Sequence, residues 1–228
     1  MYRFSQAGWI LFSVVGLLAA DATWSTKDIA QWTKEDAQQF LADSPWIKRV
    51  TPAIMPPQNE RERRDSGQMG GVSSVGLQAF RLPTLFGGGP QPKEKVRQGA
   101  LTLRWESALP VRAAEVKAGE AGAPDVEEGS YVVGVYGFPS DSLDGNMKLI
   151  SKELQRFGVL KHPGKKGIKP SRVDIIQETG GVVLVYVFPR LADVTKDDVF
   201  EFNAKMGRYF VAQAFSASDM EFQGKLEL

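Results

Sequence analysis

The sequence predicts an α+β domain, a mixed, mainly antiparallel sheet of five or more strands with two or three helices packed on one face. Three observations carry this. Leu101, Leu103 and Trp105 alternate with Thr102, Arg104 and Glu106, the period-two pattern of a half-buried strand. Two pairs of β-rich runs are each joined by a short glycine-bearing turn, the signature of a hairpin. Apolar residues recur at helical spacing around residues 33–43, 107–118 and 143–157.

Taken in order, the chain opens with a positive start at Met1-Tyr2-Arg3 and then runs without a charge from Ala7 to Ala20. That run is short for a bilayer span, which needs about 20 apolar residues. It fits the hydrophobic region of a secretory signal, and Ala20-Asp21-Ala22 supplies the small-x-small cleavage site that follows one. Residues 1–22 are therefore expected to be a signal peptide cut after Ala22, with Ala20 as the second choice and an uncleaved anchor as the competing reading. The expectation is an exported protein, periplasmic or extracellular, with no membrane span after cleavage. The chain has no cysteine. This excludes lipid anchoring through a cysteine and disulfide stapling, so the fold must hold by packing. Charge is balanced, with 28 Lys+Arg against 27 Asp+Glu. Such a surface has no long-range field to gather nucleic acid, and no nucleic-acid partner is expected.

Residues 23–50 read as an N-terminal helix and first strand. Thr33 with Asp36 three positions on forms a capping box with Asp in place of the usual Glu or Gln. Ala37, Phe40 and Leu41 share a helical face, Ser44-Pro45 ends the helix, and Trp46 to Val50 continue as a strand. Residues 51–99 contain six prolines and a Gly87-Gly88-Gly89 run without a sustained period. They are expected to form a flexible insertion, with the strands on either side of it as sheet neighbours, because loop closure grows only slowly more unfavourable with length.

Residues 100–228 complete the globular core with 23–50. After the strand at Leu101 to Trp105, Ser107 and Pro110 are expected to open a helix whose buried face is Leu109, Ala113 and Val116. Tyr131 to Phe138 is a strand ended by Pro139. A helix follows with Leu143, Met147, Ile150, Leu154 and Phe157 on one side and Gly158 as its cap. Arg172 to Gln177 and Val182 to Phe188 pair around Thr179-Gly180-Gly181, and Val199 to Lys205 pairs with Arg208 to Phe215. Glu221 to Leu228 are expected to add a last short strand. Tyr131 to Pro139 (YVVGVYGFP) and Gly181 to Pro189 (GVVLVYVFP) echo each other. Two central strands built from the same β-formers explain the echo more simply than a duplicated unit.

The chemistry-bearing residues are few. One histidine, His162, and no cysteine leave none of the usual zinc, haem or iron–sulfur ligand sets, so no metal and no cofactor is expected. No G-x-S-x-G elbow is present to make a serine nucleophile, and His162 in a Pro-Gly-Lys loop reads as a solvated residue. Glu106, Asp174, Glu178 and Glu201 read as the polar face of a half-covered sheet, and Trp24, Trp32, Trp46 and Trp105 as core and edge seals. The remaining candidate is the loop carrying Lys161, His162, Lys165, Lys166 and Lys169, whose ammonium groups near glycine N–H groups suit a phosphate or carboxylate. It lacks the order of a P-loop.

Four segments taken together carry a resemblance: WTKEDA from Trp32, SPWIK from Ser44, RWESALP from Arg104 and the closing GKLEL from Gly224. The chain resembles a group of secreted proteins from soil bacteria that have no assigned function. The resemblance implies export and brings no catalytic residues. The expectation is an exported, non-enzymatic domain that binds a protein or envelope partner. The alternatives are a secreted hydrolase whose carboxylates or serine only the fold assembles, and a small-anion binder at the 161–169 lysine loop.

Overall fold

The computed structural model describes residues 23–55, 99–120, 123–143, 145–178 and 181–228. The expected signal peptide (1–22) and residues 56–98 of the expected insertion lie outside them, as do two of the three turn residues, Thr179 and Gly180.

The α+β expectation holds. Strands β1 (Ile47–Val50), β3 (Leu101–Trp105), β4 (Ser130–Phe138), β7 (Gly181–Pro189) and β6 (Arg172–Glu178) form a five-stranded sheet in the order β1-β3-β4-β7-β6. Each of its ladders is antiparallel. The strands on either side of the expected insertion, β1 and β3, are neighbours, with Ile47 opposite Arg104 and Val50 opposite Leu101. The two echoing segments are adjacent central strands, Val132 facing Val187 and Val133 facing Tyr186. Near the end of β4 the register slips by one residue at Tyr136-Gly137, so that Phe138 rather than Gly137 turns inward.

A second sheet covers one face of the first. It comprises β2 (Ala53–Ile54), β9 (Tyr209–Ser216), β8 (Val199–Met206) and β5 (Gly158–Lys161), in the order β2-β9-β8-β5. β2 corrects the boundary of the expected insertion. Residues 53–54 pair with Phe210 and Tyr209 and belong to the fold, although two residues are too few to show a period. β5 was also illegible, since it follows a helix with no turn signal between them. The space between the sheets is filled by rings. Trp105 meets Phe200 at 5.4 Å and Phe215 at 5.2 Å, Tyr186 meets Phe202 at 5.1 Å, and Phe138 meets Tyr209 at 5.3 Å. Offset and edge-on aromatic contacts of this kind add to the area they bury.

The buried apolar residues of all three helices join this same core. Helix α1 (Lys34–Ala42) has the predicted capping box: Thr33 accepts from the Asp36 amide and Asp36 accepts from the Thr33 amide. Its Phe40 packs among Trp24, Trp32 and Trp46, which are all buried, so the tryptophans offer no stacking surface.

Helix α2 (Leu109–Ala118) turns a different face inward from the one its leucine and valine suggest. Leu109 is 46% and Val116 80% exposed, while Val111, Ala114 and Ala118 are buried with Glu115. Small residues and a glutamate on the inner stripe hid it. Ser107 does not cap this helix; its hydroxyl accepts from the Val132 amide, and Ala108 occupies the cap.

Helix α3 (Met147–Phe157) starts four residues later than expected, with Asn146 as its cap; Leu143 lies outside it. Gly158 is the C-cap as expected, its amide donating to the Leu154 carbonyl, but in extended rather than left-handed backbone, so that it also opens β5. Only Leu154 of the helix is fully covered, because α3 lies along the edge of β6. Ser151 donates to the Val173 carbonyl at 2.6 Å, and Gln155 donates to the carbonyls of Pro170 and Ser171. These side chains occupy strand-edge acceptors that would otherwise invite another strand.

The expected last strand is a small hairpin, β10 (Glu221–Phe222) with β11 (Lys225–Leu226). The five-stranded sheet's other face carries a smaller apolar cluster of Val132, Val183, Val185 and Val187, against which Val126 and Ile176 pack. Among the described residues no helix is long and apolar enough to cross a membrane.

Candidate functional site

The lysine loop leaves β5 and returns along it. Leu160 and Ile168 exchange both backbone hydrogen bonds, at 2.9 and 2.8 Å, which fixes the two ends of the loop. Between them His162-Pro163-Gly164-Lys165 makes a turn closed by the Lys165 amide on the His162 carbonyl at 3.2 Å. Proline at the second position and Gly164 with φ of 70° at the third are the requirements of a type II turn. The turn lifts Lys165 and Lys166 to the rim of a cavity of about 620 Å³.

The cavity floor is the outer face of the second sheet. Val159 and Lys161 of β5, Val199 and Glu201 of β8 and Ala214 of β9 line it, along with His162, Pro163 and Gly167 of the loop. Register accounts for this company, since Lys161 lies opposite Glu201 and Glu201 opposite Ala214.

The four lysines have different surroundings. Lys161 pairs with Glu201 at 2.9 Å, and that ammonium, with the Asn203 amide, holds the Glu201 carboxyl below its ordinary range. Lys165 reaches only the Asp193 carbonyl, at 3.4 Å, and Lys166 has no hydrogen-bond or ion-pair partner among the described residues. Lys169 does not belong to the site. Its ammonium donates to the carbonyls of Arg156 and Gly158, at 2.8 and 3.1 Å, where it satisfies the end of α3.

His162 corrects a second expectation. It is 6% exposed rather than solvated, and its ring meets Phe200 edge-on at 5.2 Å. Nδ1 lies 2.9 Å from the Pro163 carbonyl and Nε2 lies 3.2 Å from Asp198 Oδ2. The Asp198 carboxyl is held below its usual range, first by the Thr195 amide and then by His162. Nδ1 faces the Pro163 carbonyl, while Nε2 is buried beside Asp198 without a directed hydrogen bond, and the ring packs beneath the loop. Asp198 sits far from His162 in the chain, and no spacing rule links the two.

Of the carboxylates assigned to the polar sheet face, Asp174 and Glu178 are exposed and Glu201 is partly so. Glu106 is the exception, with 0% exposure. Its carboxyl folds back over Gly134 of β4, where a Cβ would stand 2.6 Å from Glu106 Oε1, so only glycine leaves the space. No group of three or more His, Cys, Asp or Glu side chains among the described residues has the arrangement of a metal site.

Comparisons with protein-family models, with characterised proteins and with solved structures return no match. The site is therefore read from its own chemistry.

Proposed function

We propose that this chain is an exported, non-enzymatic binding domain whose recognition element is the cavity beside the lysine loop. The ligand class is a small anion, carboxylate- or phosphate-bearing, with an apolar body. One observation carries the reading: Lys165 and Lys166 stand at the mouth of a pocket of ligand size and have no carboxylate partner among the described residues. Two compact cations over a mainly aliphatic floor of Val159, Val199 and Ala214 suit an anionic head and an apolar tail. Glu201 is already committed to Lys161 and Asn203, so its charge subtracts little from the rim. Export rests on the uncharged run from Ala7 to Ala20 with its Ala20-Asp21-Ala22 site, and the resemblance to secreted soil-bacterial proteins agrees with it.

Titration calorimetry with inorganic phosphate and with a series of alkyl carboxylates tests the ligand reading. Saturable binding that strengthens with chain length and disappears in K165E/K166E is the expected result. Silence to every compound, or equal binding in the double variant, defeats it. Sequencing the N-terminus of protein recovered from an expressing bacterium tests export, since an intact Met1 on cytosolic protein contradicts it.

A further inference from the structure

Behind the five-stranded sheet's edge lies a cluster that the cavity does not use. Arg104 of β3 is 7% exposed and directs Nη1 at two carboxylates, Glu115 of α2 at 2.9 Å and Glu120 at 2.7 Å. Its guanidinium carbon lies 4.4 Å above the centre of the Tyr136 ring. The Tyr136 hydroxyl donates to Glu106 Oε1 at 2.7 Å. Glu106 Oε1 is 4.0 Å from Arg104 Nε, beyond a hydrogen bond, and Glu106 Oε2 is buried with no N–H or O–H donor directed at it. Glu115, 2% exposed, therefore meets the Glu106 carboxyl across the same guanidinium.

One guanidinium thus faces three carboxyl groups, two of them sealed from water. Two adjacent buried carboxylates cannot both stay ionised on one cation's charge, and an acceptor oxygen buried without a donor is unfavourable. A single proton on Glu106 Oε2, donated to Glu115, removes both difficulties. We propose that Glu106 holds a proton on Oε2 at neutral pH, and that this proton fastens helix α2 to strands β3 and β4 as a latch that alkali releases.

The groups facing the pair are Arg104 from β3, Glu120 from the segment after α2 and Tyr136 from β4. Arg104 stays charged throughout, and burial beside Glu106 pushes the Tyr136 phenol above its ordinary range, so neither titrates in its place. Burial, and then Glu115, raise the Glu106 carboxyl well above its ordinary 4.5. A raised carboxyl in the folded state contributes stability that is whole below the unfolded value near 4.5. It is lost as pH rises toward the folded value, the proton passing to solvent.

The test uses E106Q and E115Q in the purified protein. Gln at 106 can donate to Glu115 and accept from Tyr136, mimicking the protonated acid permanently. Infrared difference spectra at neutral pH should show a protonated-carboxyl carbonyl band in the wild type that is absent from E106Q. Folding equilibria across neutral to alkaline pH should fall by up to about tenfold per pH unit in the wild type, over part of that range, and stay level in E106Q. E115Q removes the neighbouring charge and should move the decline to lower pH, which serves if E106Q does not fold. No carbonyl band, or the same slope in wild type and variants, overturns the latch.

Discussion

The indole N–H of Trp46 donates to the carbonyl of Glu227, 181 positions further along the chain, at 2.7 Å. The bond joins the start of β1 to the 225–228 segment. That segment is bound elsewhere too: the Glu227 amide donates to the Met220 carbonyl at 3.0 Å, and Leu228 is 4% exposed within the core. Removing residues 225–228 exposes Leu228's site and orphans a buried indole donor. Each loss is worth about 1–3 kcal/mol, so urea unfolding should report a deficit of about 3–5 kcal/mol. Leu228→Ala alone should lose about 2 kcal/mol or more.

Helix α1 depends on its first residue. Thr33→Ala should lower stability by about 1 kcal/mol, the usual worth of an N-cap side chain. Asp36 also has the Lys27 ammonium at 2.7 Å and the Thr23 hydroxyl at 2.5 Å, and these hold its carboxyl far below the ordinary range. A depressed carboxyl gives stability that is present above its unfolded value of 3.8 and lost as pH falls below it. Asp36→Asn should therefore flatten the acid limb of a pH–stability curve while changing its neutral slope little.

Legibility in the sequence tracked locality. The Thr33–Asp36 cap, the β3 alternation and both hairpins depend on residues a few positions apart, and they appear where the spacing puts them. Helix α2 failed because its inner stripe carries Glu115, whose partner Arg104 belongs to another element. His162 failed for the same reason, since Asp198 supplies its environment from a distant loop. The lysine loop was found by composition, but its members separated only once β5, β8 and α3 were in place around it.

Gly134 faces Arg104 across the ladder and gives the Glu106 carboxyl its room. A Cβ there meets Glu106 Oε1 at 2.6 Å and Tyr136 Cε2 at 2.7 Å, two groups already bonded to each other. Neither can retreat without giving up that bond. Gly134→Ala should cost about 1–3 kcal/mol by overpacking, and thermal unfolding measures it.

Tyr186 is fully buried against Phe202, yet its hydroxyl has no hydrogen-bond partner among the described residues. Burial pushes the phenol above its usual range. Deleting an unsatisfied buried hydroxyl while keeping the ring removes a penalty rather than a contact. Tyr186→Phe should be as stable as the wild type or up to about 2 kcal/mol more so, and a loss above about 1 kcal/mol would reveal a partner for that oxygen.

Lys169 and the pair Lys165–Lys166 share a loop but serve different ends, and the two roles separate experimentally. Lys169 donates to two carbonyls at the end of α3, where a cation also opposes the negative pole of the helix. Lys169→Met should lower stability by about 0.5–1 kcal/mol and leave anion titrations unchanged. Lys165 and Lys166 are exposed and make no bond that the fold requires. Replacing both with Glu should leave unfolding within about 0.5 kcal/mol of the wild type and abolish phosphate or carboxylate binding. If Lys169→Met weakens binding as much as the double replacement does, the cations act as a diffuse field and not through the cavity rim.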